Sequence, residues 1–195
     1  MAEQFEGKTQ NLRAFMLLHR VRDLLFRCQD RAVGEFGLTA EQYSVLVAIA
    51  FLDDPVRATD IGRWMDRKVN SISMIVDRMV RAGLVSRERD LPDRREVRLA
   101  ITKEGEQALK AANPKVSRLV EDILSSLSRE DAHNLIRTLE TLRDRAARYY
   151  NPEVNIREMA TYETEDMASL MRRMARYHST DAPKTARRGR ARRRK

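Results

Sequence analysis

The amino-acid sequence predicts a mainly α-helical protein with one small β-hairpin. Of its 195 residues only seven are glycine and five are proline, whereas 34% are charged and 42% are hydrophobic. This composition favours helices over a sandwich or barrel and is sufficient for a buried core. Apolar residues recur at helical spacing through most of the chain, and strict alternation replaces that spacing only after Gly83.

The first two helices are predicted from apolar spacing and a capping signal. Residues 11–33 contain no proline or glycine, and their apolar side chains recur three and four positions apart, which predicts a long helix with a wide apolar face. Thr39 and Gln42 form a capping box, in which each side chain can satisfy a free backbone N–H group. We expect the second helix to end near Asp53.

Two shorter helices follow. We expect Thr59 or Asp60 to cap the third helix and Asn70 to cap the fourth. The fourth helix carries one apolar stripe, which consists of Ile72, Ile75, Val76, Met79 and Val80. Gly83 is predicted to end this helix, because a residue without a Cβ atom adopts a left-handed backbone at little cost.

A hairpin and two further helices complete this part of the chain. Two strands are predicted within residues 84–89 and 97–101, around a charged turn. Thr102 is expected to begin another helix, which Pro114 is expected to kink or interrupt. Ser128 is expected to cap a last long helix.

These elements divide the chain into four parts. Residues 38–101 are predicted to form a winged helix-turn-helix, flanked by long helices in 1–37 and 102–150. A unit of this size cannot cover the apolar faces of the flanking helices, so we expect them to pack against a second copy in a homodimer. A compact monomeric bundle is the alternative. We expect an additional amphipathic helix in 151–178 and a disordered basic tail in 179–195.

The helix-turn-helix predicts double-stranded DNA as the partner, because the polar front of its second helix can enter the major groove. The residues of this region that we expect to contact DNA are Lys68, Asn70, Ser71, Ser73, Met74, Arg78 and Arg81. Hydroxyl groups can bond base edges or phosphates, basic groups can reach phosphate or guanine, and methionine can touch a thymine methyl. Asp77 is expected to orient a neighbouring arginine instead.

The hairpin tip carries Asp93, Arg94 and Arg95. A guanidinium group on such a wing can enter the narrow minor groove, where the negative potential is enhanced. An exposed charged turn is the alternative interpretation. The position of the tip after a helix-turn-helix favours DNA contact by the two arginines, with Asp93 orienting the wing.

Two stretches resemble the multiple-antibiotic-resistance regulator (MarR) family: LTAEQYSVLVAIA, and then VNSISMIVDRMVRAGLVSRERDLPDRREVRLAITKEG. The resemblance covers about residues 11–150. It implies a dimeric DNA-binding regulator, usually a repressor at palindromic operators, that is often released by a small aromatic or anionic ligand or by thiol oxidation. It also places the recognition helix at 70–81, where Met74 occupies a position that is basic or polar in many members.

Four residues are candidates for sensing a signal. The resemblance implies a ligand crevice between the winged unit and the flanking helices, which His19, Tyr43 and Trp64 could line. A core position for Tyr43 and Trp64 and a surface position for His19 are the alternatives. Cys28 is the only cysteine. A reactive thiol needs partial exposure and a positive neighbour, but Cys28 continues an apolar stripe, where a buried and inert thiol is usual.

Other function classes lack their signals. The three histidines have no metal-ligand spacing, and no nucleophile–base pair or phosphate-binding glycine loop is present, so we expect no metal, no cofactor and no enzymatic activity. The N-terminal residues lack the layout of a signal peptide, and no apolar run approaches the length of a membrane span. We therefore expect a cytoplasmic protein without a membrane partner.

The net charge of +9 is concentrated at the C-terminus. Residues 183–195 carry eight positive charges and no acidic residue, so the DNA-binding surface elsewhere must be a local patch. Arg188 and Arg190 flank a glycine, as in the centre of an AT-hook, but alanine follows where proline is usual. We favour a general polybasic arm. A largely sequence-neutral nucleoid or RNA-binding protein driven by this tail is the alternative function.

Overall fold

The computed structural model describes residues 2–88 and 97–157, with side chains from residue 7 onward. The elements in chain order are α1 (Ala2–Gly34), α2 (Ala40–Phe51), α3 (Ala58–Trp64), α4 (Val69–Arg81), β1 (Val85–Glu88), β2 (Arg98–Ile101), α5 (Lys103–Leu124) and α6 (Arg129–Tyr150). The predicted fold class is confirmed: the chain is mainly α-helical and contains a winged helix-turn-helix with a two-stranded hairpin. Only residues 151–157 of the predicted extension in 151–178 are described, and the rest of it and the predicted basic tail in 179–195 lie outside the described residues.

The helix α2 forms the centre of the core. Its start is the predicted capping box, in which Thr39 Oγ1 accepts a hydrogen bond from Gln42 N at 3.2 Å and Gln42 Oε1 accepts one from Thr39 N at 2.9 Å. Most α2 residues are buried against α3, α4, α5 and the hairpin. The side chains that are fully buried around it include Leu46, Ile61, Ile72, Met79 and Leu109. Three elements of the winged unit are therefore held in place by one helix.

The starts of α3 and α4 differ from the sequence prediction. Arg57, and neither Thr59 nor Asp60, is the cap of α3, because Asp60 lies in the first turn and its Oδ2 accepts a hydrogen bond from Arg57 N at 2.9 Å. Likewise Lys68, and not Asn70, is the cap of α4. The carbonyl oxygen of Lys68 already accepts hydrogen bonds from two backbone N–H groups of α4, which places Asn70 inside the helix.

The end of α4 is as predicted. Gly83 has φ +72°, and its N–H group donates to Val80 O at 3.0 Å, while Leu84 N donates to Met79 O at 2.9 Å. This pair of bonds is a Schellman motif, which satisfies the last carbonyl groups of a helix. The predicted apolar stripe of α4 is buried, although its last member, Val80, is only half-buried.

The hairpin is antiparallel, and its stem begins and ends within a residue of the predicted strands. Val85 pairs with Ile101, and Glu88 pairs with Arg98. Leu99 N also donates to Val56 O at 2.8 Å, which ties β2 to the segment before α3. The predicted turn between the strands lies outside the described residues.

The helix α5 is not interrupted at Pro114, whereas a kink there stays a prediction. It runs without interruption from Lys103 to Leu124 and includes Pro114. Pro114 is exposed, so water can satisfy the backbone group that loses its hydrogen bond to a proline. The predicted caps at Thr102 and Ser128 are confirmed, since their hydroxyl oxygens accept hydrogen bonds from Gly105 N and Asp131 N.

The helix α1 begins before the predicted residue 11, and the residues it buries lie near its C-terminal end. Ala32 and Val33 are buried, and α1 packs there against α2 and α5. In contrast, residues 8–28 are exposed, and α6 has no buried residue. Within the described part of one chain, the apolar faces of α1 and α6 therefore remain largely accessible.

Candidate nucleic-acid interface

The turn between α3 and α4 is tight because of three backbone features. Arg67 N donates to Gly62 O at 2.7 Å, and a Cβ atom at Gly62 would lie 2.8 Å from the carbonyl oxygen of Arg67. Asp66 has φ +50°, a left-handed conformation that aspartate tolerates better than most residues. These features hold α4 directly after α3, as a helix-turn-helix requires.

The front of α4 brings most of the predicted DNA-contacting residues together. Asn70, Ser71, Met74, Arg78 and Arg81 are exposed, and Met74 retains 67% of its accessible surface. Ser73 is half-buried and lies at the edge of this face. Lys68 is exposed at the cap of the helix. The back of the same helix is fully packed, so the front is the surface that α4 offers to a partner.

An ion pair connects the front of α4 to the wing. Arg87 Nη2 on β1 donates to Asp77 Oδ1 on α4 at 2.5 Å. Asp77 therefore holds an arginine, in line with the expectation that it does not face DNA. The sequence reasoning did not identify Arg87, although the arginine of the Gly-Leu-Val-x-Arg pattern was a usable signal.

A second carboxylate lies beside the helix-turn-helix. Glu41 in the first turn of α2 accepts a hydrogen bond from Arg67 at 2.9 Å, and its other oxygen lies 4.0 Å from Arg78. Neither Glu41 nor Arg67 was singled out from sequence. No local signal could have found them, because the two residues are 26 positions apart in the sequence and only the packing of α2 against the turn brings them together.

The stem of the wing is fixed by Arg98. Its guanidinium group donates to Glu88 at 2.5 Å across the hairpin and to Asp54 at 2.9 Å in the segment before α3. The predicted wing residues Asp93, Arg94 and Arg95 lie outside the described residues. Arg188 and Arg190 of the tail lie outside them as well.

The three candidate ligand residues are found on three different helices. Tyr43 is buried in the core, and its hydroxyl group donates to Asn113 Oδ1 at 2.9 Å. Burial raises the pKa of Tyr43 to about 12, so the phenol is neutral at physiological pH. Trp64 is half-buried against the core, and His19 is exposed on α1, where the centroid of its ring lies 4.6 Å from that of Phe15 in an edge-to-face arrangement. A ligand role for them stays a prediction.

Cys28 is exposed in the isolated chain, whereas the apolar stripe favoured a buried thiol, and a redox role for it stays a prediction. The apolar stripe that it continues has no partner within the described residues, and this explains the difference. No three histidine, cysteine or acidic side chains gather as metal ligands in residues 7–88 and 97–157. None of the described helices is long and apolar enough to cross a membrane.

The fold and the exposed face of α4 define a winged helix-turn-helix DNA-binding protein. The sequence model of the MarR family matches residues 36–96. The chain is 34% identical over 114 residues to the transcriptional regulator HosA of Escherichia coli, covering 58% of this chain and 84% of HosA. It is 27% identical over 138 residues to the transcriptional activatory protein BadR of Rhodopseudomonas palustris, covering 67% and 79%. The chain therefore belongs to the MarR family, and it is a transcriptional regulator, not an enzyme.

Solved structures agree with this assignment at the level of the fold. The MepR–DNA complex of S. aureus superposes with a TM-score of 0.62 at 20% identity, covering 67% of this chain and 94% of MepR. CouR from Rhodococcus jostii RHA1, bound to p-coumaroyl-CoA, superposes with a TM-score of 0.57 at 26% identity, covering 65% and 88%. Residues 158–195 are beyond the family match.

Proposed function

We propose that the protein binds a palindromic operator as a homodimer and represses transcription there. The single observation that carries this proposal is the exposed polar front of α4 above a fully packed apolar back. A face of this kind is suited to the major groove, where donors, acceptors and methyl groups of bases are accessible. MepR of S. aureus, which shares this fold, has been solved in complex with DNA, and this supports DNA as the partner here.

The exposed apolar faces support the homodimer. On α1 they consist of Leu12, Phe15, Met16, Leu17, Leu18, Val21, Leu24, Leu25 and Phe26, and on α5 and α6 of Val120, Ile123, Leu124, Leu135, Ile136, Leu139 and Leu142. Soluble monomers rarely expose apolar patches of this extent. These side chains retain 37–60% of their accessible surface, so completing the burial of each contributes about half of the roughly 1.5–3 kcal/mol for full burial. We assign dimerisation to residues 1–37 and 102–150, and DNA binding to 38–101.

The symmetry of the dimer determines the form of the operator. A twofold axis relates the two α4 helices, so that the two half-sites are inverted repeats about one helical turn, or about 34 Å, apart. In each half-site Ser71, Met74 and Arg78 face base edges, while Lys68 and Arg81 face phosphates. Arg94 and Arg95 of the wing extend into the adjacent minor groove.

Footprinting upstream of the gene that encodes the protein tests operator binding. One protected inverted repeat, retained against an excess of random DNA, is expected. Arg78→Ala should weaken this binding by about 1–3 kcal/mol. Arg129→Ala, which removes the same charge from the exposed start of α6, is the matched control and should bind like the wild type. Protection without sequence preference would instead favour the sequence-neutral nucleoid or RNA-binding alternative.

Light scattering tests the dimer. The wild type should have a mass near twice the 22.7 kDa of one chain at micromolar concentration. Leu139→Glu places a charge in the exposed apolar face of α6 and should shift the protein toward monomer. Glu140→Gln, on the neighbouring position of the same helix, should remain dimeric. A wild-type mass of a single chain would refute the dimer.

Two further properties need separate measurements: whether the protein represses or activates transcription, and which effector ligand changes its DNA binding. Because BadR is named as activatory, a promoter–reporter fusion with and without the protein is needed, and we expect lower expression with it. The p-coumaroyl-CoA bound to CouR supports a small aromatic or anionic effector here. Aromatic acids and their CoA thioesters should then lower operator occupancy, whereas no change with any of them would refute effector release by this class.

A further inference from the structure

Glu41 lies between two arginines of the surface that contains the helix-turn-helix. One carboxylate oxygen accepts a hydrogen bond from Arg67 in the turn before α4, at 2.9 Å. The other oxygen lies 4.0 Å from Nη2 of Arg78, on the front of α4. The Glu41 side chain is 29% exposed, whereas those of Arg67 and Arg78 are 40% and 60% exposed. The carboxylate is therefore the less exposed member of this cluster.

The backbone on both sides of Glu41 is anchored. Asp30 Oδ1 on α1 accepts a hydrogen bond from Ala40 N at 2.8 Å, and the capping box fixes Thr39 and Gln42. The backbone of Arg67 is held by its bond to Gly62 in the tight turn. The pair thus connects two rigid elements, α2 and the turn, and not two mobile loops.

The ion pair contributes little to stability. Exposed ion pairs stabilise a fold only slightly, because water and salt screen them and side-chain entropy is lost. The ion pair has a larger effect on DNA binding than on stability, because DNA phosphates and the Glu41 carboxylate compete for the guanidinium groups of Arg67 and Arg78. A guanidinium group that is released from a carboxylate can neutralise a phosphate and release a counterion, which strengthens binding to any DNA sequence.

We propose that Glu41 is a positioning residue that withholds Arg67 from phosphate and orients Arg78, and thereby raises the preference for operator over random DNA. This inference rests on the proposed function, in which α4 faces DNA. It assigns to α2 a role in specificity, although α2 itself does not enter a groove. Removing the carboxylate should strengthen binding to random DNA and weaken the preference for the operator.

Glu41→Gln keeps the size of the side chain and removes its charge. For each arginine that gains a phosphate contact, the slope of log K against log salt should steepen by about 0.9. Affinity for random duplex DNA should then fall by about a further 3.5-fold per contact between 50 and 200 mM salt. Fluorescence anisotropy with random and operator duplexes over this salt range measures both affinities and their ratio.

Glu35→Gln is the matched control. Glu35 also forms an exposed ion pair, with Lys115 at 2.6 Å, but this pair connects the end of α1 to α5 and lies outside the helix-turn-helix. The control removes the same charge, so an equal change in slope would show an effect of net charge only and would overturn the proposal. The double variant Glu41→Gln/Arg67→Gln should return the slope toward the wild-type value, because the released arginine is gone.

The outcomes separate this inference from the proposed function. A wild-type protein without operator preference, or an Arg78→Ala variant that binds normally, would contradict the proposed function. If the wild type prefers its operator and Arg78→Ala binds weakly, but Glu41→Gln has the wild-type slope and the wild-type operator-to-random ratio, only the role of Glu41 is refuted. Thermal unfolding confirms that each variant is folded. Glu41→Asp retains the negative charge, so its salt slope should remain closer to the wild-type slope than that of Glu41→Gln.

Discussion

Replacing Tyr43 by phenylalanine tests the buried polar contact between α2 and α5. The Tyr43 hydroxyl group donates to Asn113 Oδ1 at 2.9 Å, and Asn113 is only 1% exposed. Asn113 Nδ2 already has no hydrogen-bond partner among the described residues. The Tyr43→Phe variant therefore leaves the whole amide group of Asn113 buried and unpaired, which costs about 1–3 kcal/mol.

Urea unfolding at neutral pH and fixed protein concentration measures this loss. The double variant Tyr43→Phe/Asn113→Leu should recover much of the stability, because replacing both partners by apolar groups of similar size is close to neutral. A loss below about 0.5 kcal/mol in the single variant, less than a typical net hydrogen bond, would refute the reasoning. It would mean that another group or a water molecule satisfies the Asn113 carbonyl.

The same residue predicts a pH dependence. Burial raises the pKa of Tyr43 from 10.0 to about 12, so the folded state holds the phenol proton that the unfolded chain releases near pH 10. The stability is fully present below pH 10 and is lost as the pH rises toward 12, by on the order of 3 kcal/mol in total. The difference in unfolding free energy between wild type and Tyr43→Phe should narrow over this window. A constant difference from pH 9 to pH 12 would contradict the prediction.

Three further predictions concern the connection of α4 to α5, the wing and the tail. Gly105→Ala should destabilise the fold by about 1–3 kcal/mol, because its Cβ atom would lie 2.1 Å from the carbonyl oxygen of Leu84; an unchanged melting temperature would contradict this. Arg94→Ala or Arg95→Ala should weaken operator binding by about 1–3 kcal/mol in gel-shift titrations while the dimer persists, and normal binding by both would exclude the wing contact. Deleting 183–195 should flatten the salt slope by several units at about 0.9 per lost phosphate contact and keep the footprint, whereas an unchanged slope would show that the tail does not contact DNA.

The features that the sequence predicted correctly are those with a local cause. Thr39, Thr102 and Ser128 are confirmed as caps because each bonds a backbone group only three residues away. Gly83 ends α4 because, without a Cβ atom, it adopts the left-handed backbone conformation at little steric cost. Periodicity likewise predicted which face of α4 is buried, since the stripe and the core are parts of one packed unit.

The features that the sequence did not predict depend on contacts between distant segments. Asn70 is a good capping residue by type, but the hydrogen bond from Arg67 to Gly62 closes the turn early, and α4 begins before it. The pairing of Glu41 with Arg67 arises from tertiary packing, and no periodic pattern encodes it. Cys28 is exposed within one chain, but its exposure in the protein depends on whether a second copy packs against α1, and one copy alone does not determine this.

The connection between α4 and α5 has a mechanical consequence. Thr102 donates from its backbone to Leu84 O at 3.2 Å and from its hydroxyl group to Gly83 O at 2.6 Å, so the end of the recognition helix and the start of α5 move as one body. With 22 residues, α5 is about 33 Å long. A rotation of about 10° about its far end would displace α4 by about 6 Å, more than the rise of one base pair of about 3.4 Å. If the proposed dimer is joined through α1, α5 and α6, small changes at its interface would alter the distance between the two α4 helices and would move both of them out of register with the DNA.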